Sequence, residues 1–121
     1  MLNLVEFGQI NIIFLGKHIT IATHSRPTIH SLEAAEILAK EGIEVEVVNL
    51  RTLRPLDEET IINSVKKTHH LITAESGWPQ CGMGSEICAR IMESKLFFKV
   101  HVLLKINSIL KIRNRLLKPL M

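Results

Sequence analysis

The stretch HITIATHSRPTIHSLEAAEILAKEGIEVEVVNL, residues 18–50, decides the fold of this 121-residue chain. Its first eight residues alternate and are β-branched, which predicts a strand, and apolar residues then recur at helical spacing up to Gly42. Pro27 suits the first helical turn, because its missing N–H would be unpaired there in any case. Residues 43–50 are again apolar and β-branched, as buried parallel strands tend to be. Strand, helix and strand in this order predict a parallel pair with a right-handed crossover.

The same alternation continues toward the C-terminus. Asp57 stands where the N-cap of a second helix belongs, with glutamates in the first turn after it and lysines in the last. Residues 69–75 predict a third strand, and a glycine-containing segment leads from it into a helix over about 84–93. Residues 98–106 favour a fourth strand. The predicted fold class is α/β, a three-layer, doubly wound, mainly parallel sheet that is incomplete at its C-terminal side.

Composition and cysteine spacing indicate one globular domain, since 46% of the residues are hydrophobic and 22% are charged. Cys81 and Cys88 fit neither a CxxC redox pair nor a four-ligand zinc site, so we expect reduced thiols, with Cys88 buried on a helix. No secretory signal and no presequence is visible, because no basic region opens the chain. The apolar stretch 9–15 is shorter than the roughly 20 residues that a membrane span needs.

The charge distribution along the chain is uneven. Residues 1–94 hold all twelve acidic residues and eight of the fifteen basic ones, whereas residues 95–121 hold seven basic residues and no acidic one. A helix over 109–120 would place apolar side chains on one face and cations on the other. Such a cationic amphipathic helix suits anionic lipid or nucleic acid, and the open alternative is a solvated extension without a partner.

Three strand-to-helix loops should meet at the carboxyl edge of the sheet, where ligands usually bind. They are THSRP, NLRTLRPLD and ESGWPQCGMG. The last contains Gly82-x-Gly84, but Ile87 stands where a dinucleotide fingerprint needs its third glycine, and the Lys-Ser/Thr of a P-loop is missing. We therefore expect glycines with positive φ in a tight turn rather than a phosphate site. Glu75, a lone carboxylate, is expected to accept loop N–H groups rather than to act in catalysis.

Other polar residues at these loops leave alternatives open. His24 and Arg26 could hold an anion before a helix, or lie in a solvated loop. Arg51 and Arg54 could form a solvated rim or a salt-bridging contact with another subunit. His69 and His70 adjoin at a strand start, so their side chains point to opposite faces and cannot share a metal. No catalytic residue, cofactor-binding residue or metal ligand is predicted.

The tip of the third loop is the strongest candidate for an interface. Trp78 and Pro79 lie there with Gln80, and an indole at a loop tip is costly to leave in water. We expect these side chains to pack against a neighbouring surface. If the partners are removed, apolar surface around Trp78 should favour self-association.

Three segments carry a resemblance to a known family. They are HSRP, NLRTLRPLD and E-x-GWPQ-x-G-x-G-x-EICARIM, within residues 16–94. This run closely resembles the C-terminal, transketolase-C-type domain of pyruvate dehydrogenase (acetyl-transferring) beta subunits. HSRP together with GWPQ points to the pyruvate enzymes rather than the branched-chain ones. On this resemblance, 1–15 is a divergent extension and 95–121 a divergent basic tail, as expected of a fragment.

The resemblance implies a function for the parent enzyme rather than for this domain alone. The family decarboxylates pyruvate oxidatively and transfers acetyl to a lipoyl group, using thiamine diphosphate bound outside the matched region. The resemblance implies an alpha subunit and a second beta subunit as partners, with no nucleic acid. It implies the mitochondrial matrix as the location. The role implied for this domain is subunit assembly without catalysis. Arg51, Arg54, Trp78, Pro79 and Gln80 would lie at the subunit interface. Residues 95–121 are basic where the family has an acidic docking segment, which puts dihydrolipoyl acetyltransferase docking in doubt.

Overall fold

A computed structural model describes residues 11–78, 80–94 and 99–103. The described elements are β1 Asn11–Phe14, β2 Ile19–Thr23, α1 Pro27–Lys40, β3 Val45–Asn49, α2 Glu58–Thr68, β4 His70–Ala74, α3 Met83–Glu93 and β5 Lys99–Leu103. Among these residues no helix is both long and apolar enough to cross a bilayer. The cationic helix predicted over 109–120 lies outside the described residues.

One sheet with the strand order β1-β3-β2-β4-β5 forms the middle layer. Strands β2, β3, β4 and β5 run parallel, and β1 pairs antiparallel with β3 at one end of this order. In this register Thr23 lies beside both Asn49 and Ala74, so β2, β3 and β4 end level with one another. The predicted α/β, mainly parallel, doubly wound sheet is thereby confirmed.

Each face of the sheet has its own apolar core, because successive side chains of a strand point to opposite faces. On one face Ile21 and Val47 pack with Leu38 of α1. On the other, Leu71 packs with Ile61 of α2 and with apolar residues of α3. Complete burial of such a side chain contributes roughly 1.5–3 kcal/mol. The helices are therefore held on both faces of the sheet, which gives the three layers.

Helix ends follow the sequence signals closely. Pro27 is the first residue of α1, and Asp57 caps α2 by accepting the Thr60 N–H at 3.3 Å. Gly42, two residues after α1, has a φ of 82°, a conformation that favours glycine. Strands β2, β3 and β4 are shorter than predicted by one or two residues at each end. Strand β1 was not predicted, because the stretch 9–15 showed no clear alternation.

A buried carboxylate interrupts the core on the α2 face. Glu46, in the middle of β3, is fully buried and accepts hydrogen bonds from the Ser64 hydroxyl and from Lys67 Nζ, the latter at 2.5 Å. Ser64 and Thr68 both lie 2.7 Å from the Thr20 hydroxyl oxygen. A buried charge is tolerated only when it is paired and hydrogen-bonded, as this one is. The network fixes where α2 lies on β2 and β3.

Candidate subunit interface

The candidate interface lies at the carboxyl edge of the sheet. The loops after β3 and β4 leave the sheet on either side of β2, because β2 pairs with both strands. The first loop carries Arg51 and Arg54, and the second carries Trp78 and Gln80. The fold therefore brings the sequence-predicted interface residues to one edge, except that Pro79 lies outside the described residues.

Trp78 is the most exposed large apolar side chain among the described residues, at 77%. Gln80 is also exposed. An indole contributes a large apolar area to a contact, and tryptophan is enriched among the residues that dominate binding energy. Within the described part of the chain nothing covers this ring, so the loop tip is available for a partner.

The loop after β3 is anchored at its start and exposed beyond. The Leu50 N–H donates to the Thr23 carbonyl oxygen at 2.8 Å, and the Leu50 side chain is buried. Arg51 and Arg54 are exposed, and Leu53 between them is 40% exposed. Neither guanidinium forms an ion pair with any of the residues that the structure describes. Two unpaired cations beside an exposed leucine could bind an acidic and apolar surface.

Glu75 organises the glycine loop after β4. Its side chain is buried, and its two carboxylate oxygens accept the N–H groups of Met83 at 3.0 Å and Gly84 at 3.1 Å. The expectation that Glu75 is an acceptor for loop N–H groups is confirmed. Sequence alone did not show that these amides belong to the first turn of α3. A carboxylate also complements the positive end of the helix dipole.

The glycines of this loop serve close packing. The expectation of positive φ was wrong, since among the described glycines only Gly42 has it, and Gly82 is extended at a φ of −78°. A Cβ on Gly82 would overlap the Trp78 carbonyl oxygen and lie 2.5 Å from Glu75 Oε1, and one on Gly84 would lie 3.1 Å from the same oxygen. The left-handed conformation falls instead on Cys81, with a φ of 58°.

This geometry argues against a phosphate site at the glycine loop. A helix binds anions through the free N–H groups of its first turn. In α3 the amides of Met83 and Gly84 are taken by Glu75, and the Ser85 amide donates to the Gly82 carbonyl oxygen at 3.1 Å. A phosphate would have to displace a carboxylate of the chain itself. Among the described residues no cluster of three or more His, Cys, Asp or Glu side chains could hold a metal.

The remaining candidates do not assemble into a second site. Arg26 is exposed next to the first turn of α1, and its side chain makes no capping bond there. His69 is the C-cap of α2, with a φ of 59°, and only His70 belongs to β4. The expectation that both histidines open the strand was therefore wrong by one residue. His69 and His70 lie at the amino end of β4, whereas the predicted interface residues lie at the carboxyl edge of the sheet.

Cys88 behaves as a partly buried side chain rather than as a reactive thiol. It lies on α3 next to the buried Ile87, and Cys81 is exposed. Burial raises the pKa of the Cys88 thiol, which disfavours the nucleophilic thiolate. Nothing in the described part of the chain pairs this sulfur with a catalytic base.

Comparisons with known sequences match one family and relatives of one name. The sequence model of the family described as "Transketolase, C-terminal domain" matches residues 8–109. The chain is 61% identical over 94 residues to the mitochondrial pyruvate dehydrogenase E1 component subunit beta of Bos taurus, covering 78% of this chain and 26% of that protein. It is 57% identical over 97 residues to the Drosophila melanogaster protein of the same name, with 80% and 27% covered. The chain thus spans about a quarter of the length of these curated relatives.

Solved structures agree on the fold. A chain titled "Split gene transketolase, inactive beta4 tetramer" superimposes with a TM-score of 0.74 and 28% identity, covering 90% of this chain and 37% of that one. A 2-oxoglutarate:ferredoxin oxidoreductase from Magnetococcus marinus gives a TM-score of 0.70 at 15% identity, covering 95% and 20%. This second likeness concerns the fold alone.

Proposed function

The chain belongs to the transketolase C-terminal domain family, and from that premise we propose that it serves as the C-terminal domain of a pyruvate dehydrogenase E1 beta subunit. Its role there is subunit assembly, without catalysis of its own. The observation that carries the proposal is the 61% identity over 94 residues, which includes both loops of the candidate interface. The mitochondrial names of the relatives support a place in the mitochondrial matrix.

The activity proposed for the whole enzyme is oxidative decarboxylation of pyruvate with acetyl transfer to a lipoyl group. Thiamine diphosphate would supply the carbanion chemistry of that reaction. The glycine loop after β4 does not fit its diphosphate, because Glu75 already accepts the amides of Met83 and Gly84. Cofactor binding is therefore assigned to parts of the enzyme outside residues 16–94.

The proposed partners are the alpha subunit and a second beta subunit. The exposed Trp78 offers an anchor for a pocket, and Arg51 and Arg54 offer two cations without a partner among the described residues. Aromatic and arginine side chains are the residues most enriched where binding energy concentrates. The similar split-gene transketolase is titled an inactive beta4 tetramer, which supports assembly through beta chains without activity.

The test is capture of this chain by the alpha subunit co-expressed with full-length beta subunit, followed by a pyruvate decarboxylation assay on the captured material. We expect capture of this chain, and no decarboxylation when the full-length beta subunit is omitted. Decarboxylation by this chain with the alpha subunit alone would contradict the non-catalytic role. Absence of capture would contradict the assembly role.

Matched variants locate the contact. Trp78→Ala should weaken capture at least about tenfold if the indole is an anchor. Met92→Ala is the control, since Met92 is also exposed, at 61%, but lies near the opposite end of α3. Equal losses in the two variants would place the contact elsewhere.

For the cations, Arg54→Gln should weaken capture more than Lys66→Gln, because Lys66 is exposed at the far end of α2.

A further inference from the structure

We infer that Glu75 is a positioning residue for Trp78: its carboxylate closes the loop between β4 and α3 and thereby holds the indole in the orientation that a partner subunit binds. The inference rests on the proposed function for the partner, and on the geometry of the loop for the mechanism. The carboxylate acts through the loop, since the contacts that it makes are with the amides of Met83 and Gly84.

The first step is that the loop is closed by a side chain. Glu75 follows the last residue of β4, and its oxygens accept the amides of Met83 and Gly84, the first two residues of α3. The two ends of the loop are thus bonded to each other through one carboxylate. Hydrogen bonds to an ionised acceptor are among the stronger ones in proteins, so the closure persists in the absence of a partner.

The second step is that the glycines crowd around this carboxylate. A Cβ on Gly82 or Gly84 would lie 2.5 Å or 3.1 Å from Glu75 Oε1, and one on Gly77 would lie 3.8 Å from Oε2. Gly82 and Gly84 therefore crowd the Glu75 carboxylate, whereas Gly77 lies at an ordinary contact distance from it. This arrangement explains why Glu75 occurs together with Gly82 and Gly84 in this loop.

The third step connects the closure to Trp78. Gly82 is packed so closely on the Trp78 carbonyl oxygen that a Cβ there would overlap it. The backbone of Trp78 is therefore held against the loop end that Glu75 fixes, while its ring is 77% exposed. A fixed backbone limits the positions that the exposed ring can reach, which reduces the entropy lost on association.

The experiment uses Trp78 itself as the reporter, because it is the only tryptophan of the chain and there is no tyrosine. Time-resolved fluorescence anisotropy of the full chain measures how much the indole moves locally. Glu75→Gln replaces one acceptor oxygen by an NH₂ group that faces a backbone N–H. We expect a larger fast component of the anisotropy decay, and a rise of about tenfold in the apparent Kd for the alpha subunit if the binding-competent loop falls to about a tenth.

A second variant keeps the inference testable if Glu75→Gln does not fold. Gly84→Ala retains the carboxylate but places a methyl group 3.1 Å from Oε1 and 2.8 Å from the Thr73 hydroxyl oxygen, so it should displace the closure and loosen Trp78 in the same direction. Glu86→Gln is the control, because it removes an exposed charge from the same helix and leaves the backbone bond from the Glu86 N–H to the Gly82 carbonyl oxygen in place. It should leave the anisotropy unchanged.

The outcomes separate the two proposals. Unchanged local motion of Trp78 in folded Glu75→Gln and Gly84→Ala chains would overturn the positioning role. Increased motion with unchanged capture would show that Glu75 orders the loop but would overturn its importance for binding. If the unaltered chain is not captured, the proposed function fails, and the anisotropy still decides whether Glu75 holds Trp78. A stabilising role alone would lower the unfolding midpoint and leave the motion of the folded chain unaltered.

Discussion

The loops that follow β3 and β4 leave the same edge of the sheet, yet they begin their helices by different means. After β3, Asp57 stands directly before α2, and its carboxylate accepts the Thr60 N–H at 3.3 Å and the Thr60 hydroxyl at 2.6 Å. After β4, the carboxylate belongs to Glu75, which reaches across the loop to Met83 and Gly84. The first cap fixes one turn of a helix, whereas the second also fixes the loop that precedes the helix.

Removal of the remote cap should have the largest effect on stability. Glu75→Ala leaves the amides of Met83 and Gly84 without their charged acceptor, and each such bond contributes roughly 1.5–3 kcal/mol. Because water can replace part of the loss, we expect a decrease of about 3 kcal/mol in the free energy of unfolding, measured by urea titration with circular dichroism. A loss below about 1 kcal/mol would mean that the helix does not depend on this carboxylate.

Crowding the same loop should have the next largest effect. Gly82→Ala adds a methyl group that overlaps the Trp78 carbonyl oxygen, which cannot move without displacing the loop. Overpacking of this kind costs about 1–3 kcal/mol, and we expect about 2 kcal/mol in the same urea titration.

The matched control for this change is Gly77→Ala. Its methyl group would lie 3.8 Å from Glu75 Oε2, an ordinary contact distance. It should therefore change the stability by less than about 0.5 kcal/mol. Equal costs at the two glycines would contradict the account in which Gly82 is required for close approach to Trp78.

Removal of the local cap should cost less. Asp57→Ala deletes one capping bond to the Thr60 N–H at the start of α2, and loss of an N-cap typically costs about 1 kcal/mol. Asp57→Asn keeps an acceptor oxygen and should recover most of this loss. A cost equal to that of Glu75→Ala would remove the distinction between a cap that fixes one turn and a cap that closes a loop.

The same comparison explains how much could be predicted from the sequence. Signals that act over three or four residues were reliable: Asp57 was predicted as a cap, Pro27 as the first turn, and the alternation of strands and helices gave the α/β class. The Trp78 loop was predicted to lie at the carboxyl edge of the sheet, which is where the structure places it. Trp78 was expected to pack against a neighbouring surface, and its side chain is 77% exposed in the structure. Its use as an interface stays a prediction.

The features that the sequence did not show depend on contacts between residues more than four positions apart. Glu75 was predicted as an acceptor, but its two amides lie eight and nine residues further on, and no local spacing rule covers such a bond. No prediction was made for Glu46, which is buried because helices cover both faces of this central strand, β3.

The smallest expected effect concerns the two thiols. Their alkylation rates compare the solvent access of the loop after β4 with that of α3. Cys81 lies exposed in the loop, whereas Cys88 lies on α3. Burial raises the pKa of the Cys88 thiol, so less of the reactive thiolate is present at pH 8 than without that burial. Iodoacetamide at pH 8 should therefore alkylate Cys81 several times faster than Cys88, as measured by mass spectrometry of the digested chain.

The same shift in the pKa of Cys88 has a consequence for stability. At a pH above the ordinary pKa of a cysteine thiol, the unfolded chain releases a proton that the folded chain retains. The free energy of unfolding should therefore fall as the pH rises further, and the thiol should have no effect well below that range. Cys88→Ala should remove this part of the alkaline decrease, and Cys81→Ala should leave it in place. Equal alkylation rates, with no difference in stability between the two variants at alkaline pH, would contradict the burial of the Cys88 thiol.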